Sequence, residues 1–383
     1  MLKILASADY HLGMKFAGYP NVQEDLAEAR FLSLKRLVDR ANRSECDLFL
    51  VAGDLFDRVS VSAKDIGRAV ALLDGFHGRL AAVLPGNHDF YSGNPGSLWS
   101  RFSEAAGDRI LLLQDSRIYD LNHYDLNIHL FAGPCDSKHS KDSAISWLRD
   151  TEAPGEYPQA RQGTLRIGVA HGSIEGVSPD TQGVYFPMTR RQLEEASVDL
   201  WIIGHTHRQL PSETDRAKVA PAASPAVLIP GTPEPDGFDC RHGGTAWMIE
   251  ADENKQIRLE SLSSGTYRFV REEHTLERLA DLQRVVKHLH SGESDKTLLK
   301  LKLRGRLEAE QLSELRRQLA EVEKAYFYAQ IDDSEVLERI SEQNVEAEFT
   351  EGSFPYRLLK RLIAQKDFEA LQAAYTLLKE QKR

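Results

Sequence analysis

Leu80-Ala81-Ala82-Val83-Leu84-Pro85-Gly86-Asn87-His88-Asp89 sets a pattern that the first two thirds of the chain repeat. Five apolar residues in a row read as a strand buried on both faces. Pro-Gly stops it, and three polar residues stand at its tip. Gly86 and Asn87 would make a turn by themselves, so packing and turn chemistry leave His88 and Asp89 unexplained. The same design recurs outward in both directions. The strand-like run Lys3 to Ala8 delivers Asp9-Tyr10-His11, and Asp47 to Ala52 delivers Gly53-Asp54-Leu55-Phe56-Asp57. Downstream, Leu165 to Val169 delivers Ala170-His171-Gly172-Ser173, and Val198 to Ile203 delivers Gly204-His205-Thr206-His207. Apolar strand, then metal-type ligands, is the theme of the first two thirds of the chain.

Between these strands the apolar spacing becomes helical, as at Leu34, Leu37, Val38 and Ala41 in a helix predicted from Glu24 to Asn42. Further helices are predicted near Ser62 to Phe76, where Ser62 and Asp65 have capping-box spacing, and near Ser97 to Ala106, Ser143 to Arg149 and Thr189 to Ala196. A Pro/Ala-rich loop spans Pro211 to Pro225, and strand-like runs follow at Ala226 to Ile229, Thr245 to Glu250 and Ile257 to Leu262. Strands alternating with helices, then strands in series, imply an α/β domain with a sandwiched pair of sheets. Ligands of such sheets gather beyond the carboxyl ends of the strands, where all five polar clusters lie.

Near Tyr267 the texture changes. Leu276 to Leu289 reads as an amphipathic helix, Thr297 to Leu303 as a half-exposed strand, Glu308 to Lys324 as a charged helix and Ala325 to Ile331 as a strand. The tail, Phe354 to Arg383, is predicted helical, with a stripe of Phe368, Leu371, Tyr375 and Leu378 and a basic excess. Three domains are expected: 1–267 with the polar clusters, a small α/β domain over 268–345, and a helical tail over 346–383.

Composition limits the function. A net charge of −10 over 383 residues argues against a protein that coats nucleic acid non-specifically. Cys46, Cys135 and Cys240 are widely spaced and odd in number, which suits reduced thiols rather than a disulfide framework. The first residues read as a strand rather than a signal peptide, and no apolar run approaches the roughly 18 residues of a membrane span. A cytoplasmic protein with no membrane partner is expected.

The clusters offer Asp9, His11, Asp54, Asn87, His171, His205 and His207 as ligands. A carboxylate can join two cations, whereas an imidazole or amide holds one. One bridging Asp with three further ligands on each side suits two divalent ions about 3.5–4 Å apart, as in two-metal phosphoester hydrolysis. Mixed nitrogen and oxygen donors favour Mn, Fe or Zn over Ca. His88, beside a ligand but pointing elsewhere, is the candidate catalyst, able to stabilise phosphorane charge or protonate the leaving oxygen. Asp57 and Asp89 are candidates to fix its tautomer. His77, His123, His129, His139, His242, His274, His288 and His290 are expected to be ordinary surface or core histidines.

The series Asp9-x-His11, Gly53-Asp54-x-x-Asp57, Gly86-Asn87-His88-Asp89, His171 and Gly204-His205-x-His207 resembles the calcineurin-like metallophosphoesterase superfamily over roughly the first 250 residues. The resemblance implies a four-layer α-β-β-α sandwich. It implies one metal on Asp9, His11, Asp54 and His207, a second on Asp54, Asn87, His171 and His205, and His88 as catalyst. Within the superfamily, Ser7 to Gly13, Ala52 to Asp57 and Ile229-Pro230-Gly231-Thr232-Pro233-Glu234 resemble SbcD-type DNA repair exonucleases, including the YhaO-like branch. That likeness implies a Mn²⁺-dependent nuclease, acting 3′→5′ on duplex DNA ends. Its added domain would cap the site and guide DNA, and its tail helices would dock an SMC-like coiled-coil ATPase of the SbcC type. Two departures stand out: Tyr10 where Trp or Leu is commoner, and Asp57 where archaeal and eukaryotic relatives carry a His.

Two other functions fit parts of the sequence. A metallophosphatase or cyclic-nucleotide phosphodiesterase would use the same ligands but has no need of the C-terminal third. An inactive scaffold of the same fold usually loses ligands, and here the full set is present. The resemblance also implies a homodimer, through Ile66, Val70, Leu73, Leu98, Trp99 and Phe102 on two helices that follow metal loops; the same residues could instead pack on their own sheet.

Overall fold

The computed structural model describes residues 1–149, 160–212, 226–289 and 292–381. It divides into two compact units, Met1–Phe269 and Val270–Arg383. In the first, the strands β1 (Leu2–Ser7), β2 (Leu48–Ala52), β3 (Leu80–Leu84) and β4 (Ile110–Leu112) run parallel in that order. The opposite edge is extended, antiparallel, by β10 (Thr245–Ala251) and β11 (Ile257–Ser263). A second sheet has the order β5 (Ile118–Asp120), β6 (Ile128–Gly133), β7 (Leu165–His171), β8 (Leu200–Gly204), β9 (Ala226–Leu228), parallel from β6 onward.

The two-residue period of a strand builds the layers. Ile4, Ala6, Leu48, Leu50, Leu80 and Ala82 face inward and meet Ile128, Leu130, Ile167, Val169, Leu200 and Ile202 of the second sheet. Their neighbours Leu5, Phe49, Val51, Ala81 and Val83 face outward onto α1 (Gln23–Arg43), α2 (Ala63–Asp74) and α3 (Leu98–Ala105). On the far side, Phe131, Ala170, Trp201 and Ile203 pack with Leu193 of α4 (Arg190–Glu195). The result is the four-layer α-β-β-α sandwich, with the central strands β2, β3, β6 and β8 buried on both faces, which is why they read as largely apolar runs. Ser62 caps α2 as its spacing implied, its hydroxyl accepting from the Asp65 amide.

Ile66, Val70, Leu73, Leu98, Trp99 and Phe102 are all taken up by the outer core of this unit, each at most 4% exposed. They pack on their own sheet, the alternative weighed against the dimer contact. The later part of the Pro211–Pro225 loop, residues 213–225, lies outside the described residues, as do His290, Lys382 and Arg383.

The second unit holds a three-stranded sheet, β12 (Arg268–Leu276), β13 (Thr297–Leu307) and β14 (Tyr328–Glu338), with α5 (Leu279–Leu289) and α6 (Ala309–Ala325). Leu276, Leu282, Leu299, Leu301, Leu303, Leu315, Leu319 and Val322 form its core. Two strand expectations needed correction here. β12 was missed because Arg271, Glu272 and Glu273 hide its alternation, and β14 runs on through polar residues well past Ile331. The tail is two helices, α8 (Phe354–Gln365) and α9 (Phe368–Glu380), broken where Lys366 adopts φ 56° and the Asp367 side chain caps α9. The helical part also starts before residue 346: Ile340, Val345 and Phe349, which flank or lie on α7 (Glu342–Glu348), share a core with Leu359, Leu371 and Tyr375.

Candidate metal centre

Because β1, β2 and β3 are parallel, the loops after them open on one edge and bring Asp9, His11, Asp54, Asn87 and His88 together. The tips of β7 and β8 add His171, His205 and His207 from the second sheet. Asp9, His11, Asp54, Asn87, Asp89 and His171 are at most 2% exposed, whereas His205, His207 and His88 are half-buried and form the open side. Such a group of buried polar residues has no packing explanation.

The backbone is bent to serve this convergence. Asp9 (φ 56°), His11 (φ 47°), Asp54 (φ 51°) and His205 (φ 90°) all occupy the left-handed region, which side chains other than glycine's rarely adopt. Strain of that kind gathers at functional sites. Glycine appears where a side chain would not fit: a Cβ on Gly86 would collide with the Asp54 carboxylate, and one on Gly53 with the His171 ring.

The donor atoms face one another. Asp54 Oδ2 lies 3.3 Å from His171 Nε2 and 3.7 Å from His11 Nε2. Asn87 Oδ1 lies 3.1 Å from His171 Nε2 and 3.2 Å from His205 Nδ1. His11 Nε2 and His207 Nε2 approach to 3.2 Å, with Asp9 Oδ1 3.9 Å from the latter. His171 Nδ1 is 3.0 Å from the Ala52 carbonyl, to which it donates, so in neutral imidazole Nε2 is a lone pair aimed at two oxygen acceptors. Nitrogen and oxygen atoms converging in this way in a buried site, without the apolar packing of a core, form a set of donors that a cation could share. His11 Nδ1, buried without a hydrogen-bond partner, is consistent with a ring placed for something other than the protein. Among the described residues three groups could hold an ion: Asp9, His11 and His207; Asp9, Asp54 and His171; and His11, Asp57 and His88.

The electrostatics carry the same signature. Burial, opposed by His207, lifts Asp9 to about 6. Burial also acts on Asp54, yet the neighbouring His171 outweighs it and holds that carboxyl well below its usual range. Burial disfavours charge on His171, but Asp54 raises it to about 9; His205, with burial and His171 both against its charge, falls to about 3. A cluster whose carboxylates and imidazoles are pushed apart in this way is a functional-site signature.

The side chains of Asp57 and Asp89, the candidate orienters of His88, make further contacts. His88 Nδ1 meets the Asp57 main-chain carbonyl at 3.1 Å, while the Asp57 carboxylate pairs with Arg58 at 2.6 Å. The Asp89 carboxylate accepts from the amides of Phe56, at 2.9 Å, and Gly86, at 2.7 Å. Asp89 is therefore a clamp between two loops, and the atom that orients the His88 ring is a carbonyl no side-chain motif could reveal. The His88 amide in turn donates to Asp54 Oδ1, 2.9 Å away.

Some neighbours escaped the sequence reading. Asp236 Oδ2 lies 2.8 Å from His207 Nδ1, and the fully buried Arg30 donates to the Tyr10 carbonyl at 2.6 Å. The signal for Asp236 was its place two residues beyond Glu234 in the Gly-Thr-Pro-Glu segment; Arg30, in an amphipathic helix, gave none. His242 and His139, expected to be ordinary, sit close by: His242 Nε2 is 2.6 Å from the His207 carbonyl, and His139 packs on Tyr185, whose ring lies against His205.

Fold and site together define a metal-dependent phosphoesterase. Residues 2–209 match the family model of the calcineurin-like phosphoesterases, and the chain belongs to that family. It is similar to the uncharacterized metallophosphoesterase YhaO of Bacillus subtilis (strain 168), 26% identical over 246 residues, covering 60% of this chain and 52% of that protein. It is also similar to the DNA double-strand break repair protein Mre11 of Archaeoglobus fulgidus, 27% identical over 226 residues, covering 57% and 49%. The chain thus matches about half the length of these curated relatives. The crystal structure of TT1561 of Thermus thermophilus aligns at TM-score 0.36 and 15% identity, over 68% of this chain and 98% of that one. Among the described residues, no helix is long and apolar enough to cross a membrane.

Proposed function

We propose that this protein is a two-metal DNA nuclease, a 3′→5′ exonuclease on duplex ends working with an SMC-like coiled-coil ATPase. The observation that carries the two-metal reading is the convergence of seven side chains of ligand type, Asp54 at their centre, at the strand tips of both sheets. Asp9, His11, Asp54 and His207 would hold one ion, and Asp54, Asn87, His171 and His205 the other; Mn²⁺ suits this mixed donor set, with Fe and Zn as the other candidates. When bound, such ions supply Lewis-acid polarisation of a phosphoryl oxygen and of the attacking water.

The chain's own residues supply the rest. His88 Nδ1–H donates to the Asp57 carbonyl, which leaves Nε2 to carry a proton to the leaving oxygen. The Asp54 carboxylate accepts the His88 amide and so ties that catalyst to the ligand set. DNA as substrate is supported by the similarity to the archaeal break-repair protein. The second unit and its terminal helices are proposed to handle DNA and the ATPase. With a net charge of −10, the isolated chain is expected to bind DNA weakly and in a salt-sensitive way.

End-labelled duplex DNA incubated with the purified chain and Mn²⁺, with and without the ATPase, tests this. Stepwise release of 3′-terminal nucleotides is expected. Hydrolysis of small phosphoesters with no cleavage of DNA, even with the ATPase present, would replace the nuclease with a metallophosphatase or cyclic-nucleotide phosphodiesterase. Absence of any tightly bound transition metal would leave only a scaffold.

A further inference from the structure

His207 is a ligand candidate whose ring has one external restraint and whose backbone has several. Its carbonyl accepts from the Thr232 amide at 3.1 Å and lies 2.6 Å from His242 Nε2. His242 Nδ1 accepts the Gly244 amide at 3.1 Å, which fixes its tautomer and makes Nε2–H the donor. The main chain of His207 is therefore held without reference to its ring. The ring is held by Asp236, whose Oδ2 lies 2.8 Å from Nδ1.

The same Oδ2 lies 3.7 Å from Nη2 of Arg30. Arg30 is a guanidinium with no exposed surface, and neither its Nε nor its Nη2 has a hydrogen-bond partner. A buried cation needs an anion beside it. Its Nη1 donates to the Tyr10 carbonyl, in the middle of the Asp9-Tyr10-His11 loop. One carboxylate thus links a buried cation, anchored on the loop that carries two ligand candidates, to the ring of a third.

We propose that Asp236, backed by Arg30, is a positioning residue that fixes the His207 imidazole with Nδ1 protonated and Nε2 turned toward Asp9 and His11. Without the carboxylate the neutral ring distributes its proton over both nitrogens and rotates about a half-exposed side chain. Part of that population then points N–H, rather than a lone pair, at the metal. Carboxylates that orient metal-binding histidines in this way are worth about 10- to 100-fold in metal affinity. The effect is confined to one side of the centre, because His171 is oriented independently by the Ala52 carbonyl and Asn87 Nδ2 lies 3.4 Å from that of Lys138. This inference rests on the two-metal reading above.

The test uses the full chain as wild type, Asp236→Asn and Asp236→Ala, with Mn²⁺ titrated calorimetrically and metal counted after dialysis. Wild type is expected to hold two equivalents. Asp236→Ala should weaken one of them by about 10- to 100-fold and leave the other within about twofold. Asp236→Asn, nearly isosteric and still able to accept from Nδ1–H, should fall between and keep the native circular dichroism spectrum. Two equivalents at wild-type affinity in both variants overturns the proposal, as does equal weakening of both equivalents. A wild-type protein with fewer than two equivalents overturns instead the two-metal reading, and is told apart by the count alone.

Discussion

The loops leaving the β1–β3 edge of the first sheet and those leaving β7 and β8 of the second serve one centre by different means. On the first sheet the acids do double duty. Asp54 accepts the His88 amide, Asp89 accepts the amides of Phe56 and Gly86, and Asp9 accepts the His205 amide at 3.0 Å. These carboxylates are structural crosslinks as well as candidate ligands. On the second sheet the histidines contribute rings, each aimed by a bond on its far nitrogen or by a neighbouring ring; the His171 ring reaches the Ala52 carbonyl of β2, while those of His205 and His207 are held by Tyr185 and Asp236. The difference teaches that folding and metal binding are entangled on one sheet and nearly separable on the other.

Asp54→Ala should break the most. It removes the oxygen shared between His11 and His171 and the acceptor of the His88 amide, so both metal equivalents and all turnover above background should be lost. Metal analysis after dialysis together with DNA hydrolysis checks this; a variant that retains two equivalents would show that the acid side of the comparison is mistaken.

His88→Ala comes next. Its ring lies outside the proposed ligand set, although it shares a possible ion-holding group with His11 and Asp57, so metal content should be unchanged while kcat falls about 10²- to 10⁴-fold, the usual range for a general acid. Loss of metal on that substitution would make His88 a ligand and end its assignment as proton donor.

Third, Trp99→Ala probes how the first-sheet loops depend on the core behind them. The indole, 1% exposed among Phe56 and Phe102, donates to the Asp89 carbonyl. Its removal should destabilise the chain by about 3–5 kcal/mol, read from urea unfolding, and should loosen the Asn87 loop enough to weaken metal binding too. Unaltered metal affinity in the folded variant would separate core from site.

Most of the site was legible because the strands that feed it are short, largely apolar and end abruptly, so the polar residues after them stand out against their surroundings. Asp9, Asp54, Asn87, His171 and His205 could be read in that way, and the fold followed from the alternation of those strands with helices. Asp236, Arg30 and His242 could not, because they act from a loop and a helix face where charged and polar residues are ordinary. The orienting carbonyl of Asp57 carries no side-chain signal at all. In the second unit β12 and β14 were obscured for a related reason. Strands with one wet face and many charges, such as Arg268–Leu276, resemble loops unless their period of two is counted.

The smallest expected effect divides the two sheets most cleanly, and it is measured without metal. Asp89→Ala leaves two buried amides, those of Phe56 and Gly86, without their acceptor, and should destabilise the metal-free protein by about 1–3 kcal/mol. His205→Ala removes a half-buried ring that stacks on Tyr185 but keeps the backbone amide that donates to Asp9. Its loss should be about 1 kcal/mol or less in the same buffer. Chelator-treated samples unfolded in urea, side by side, decide the matter. If His205→Ala destabilises as much as Asp89→Ala, the second sheet's histidines are structural as well, and the division of labour between the two sheets fails.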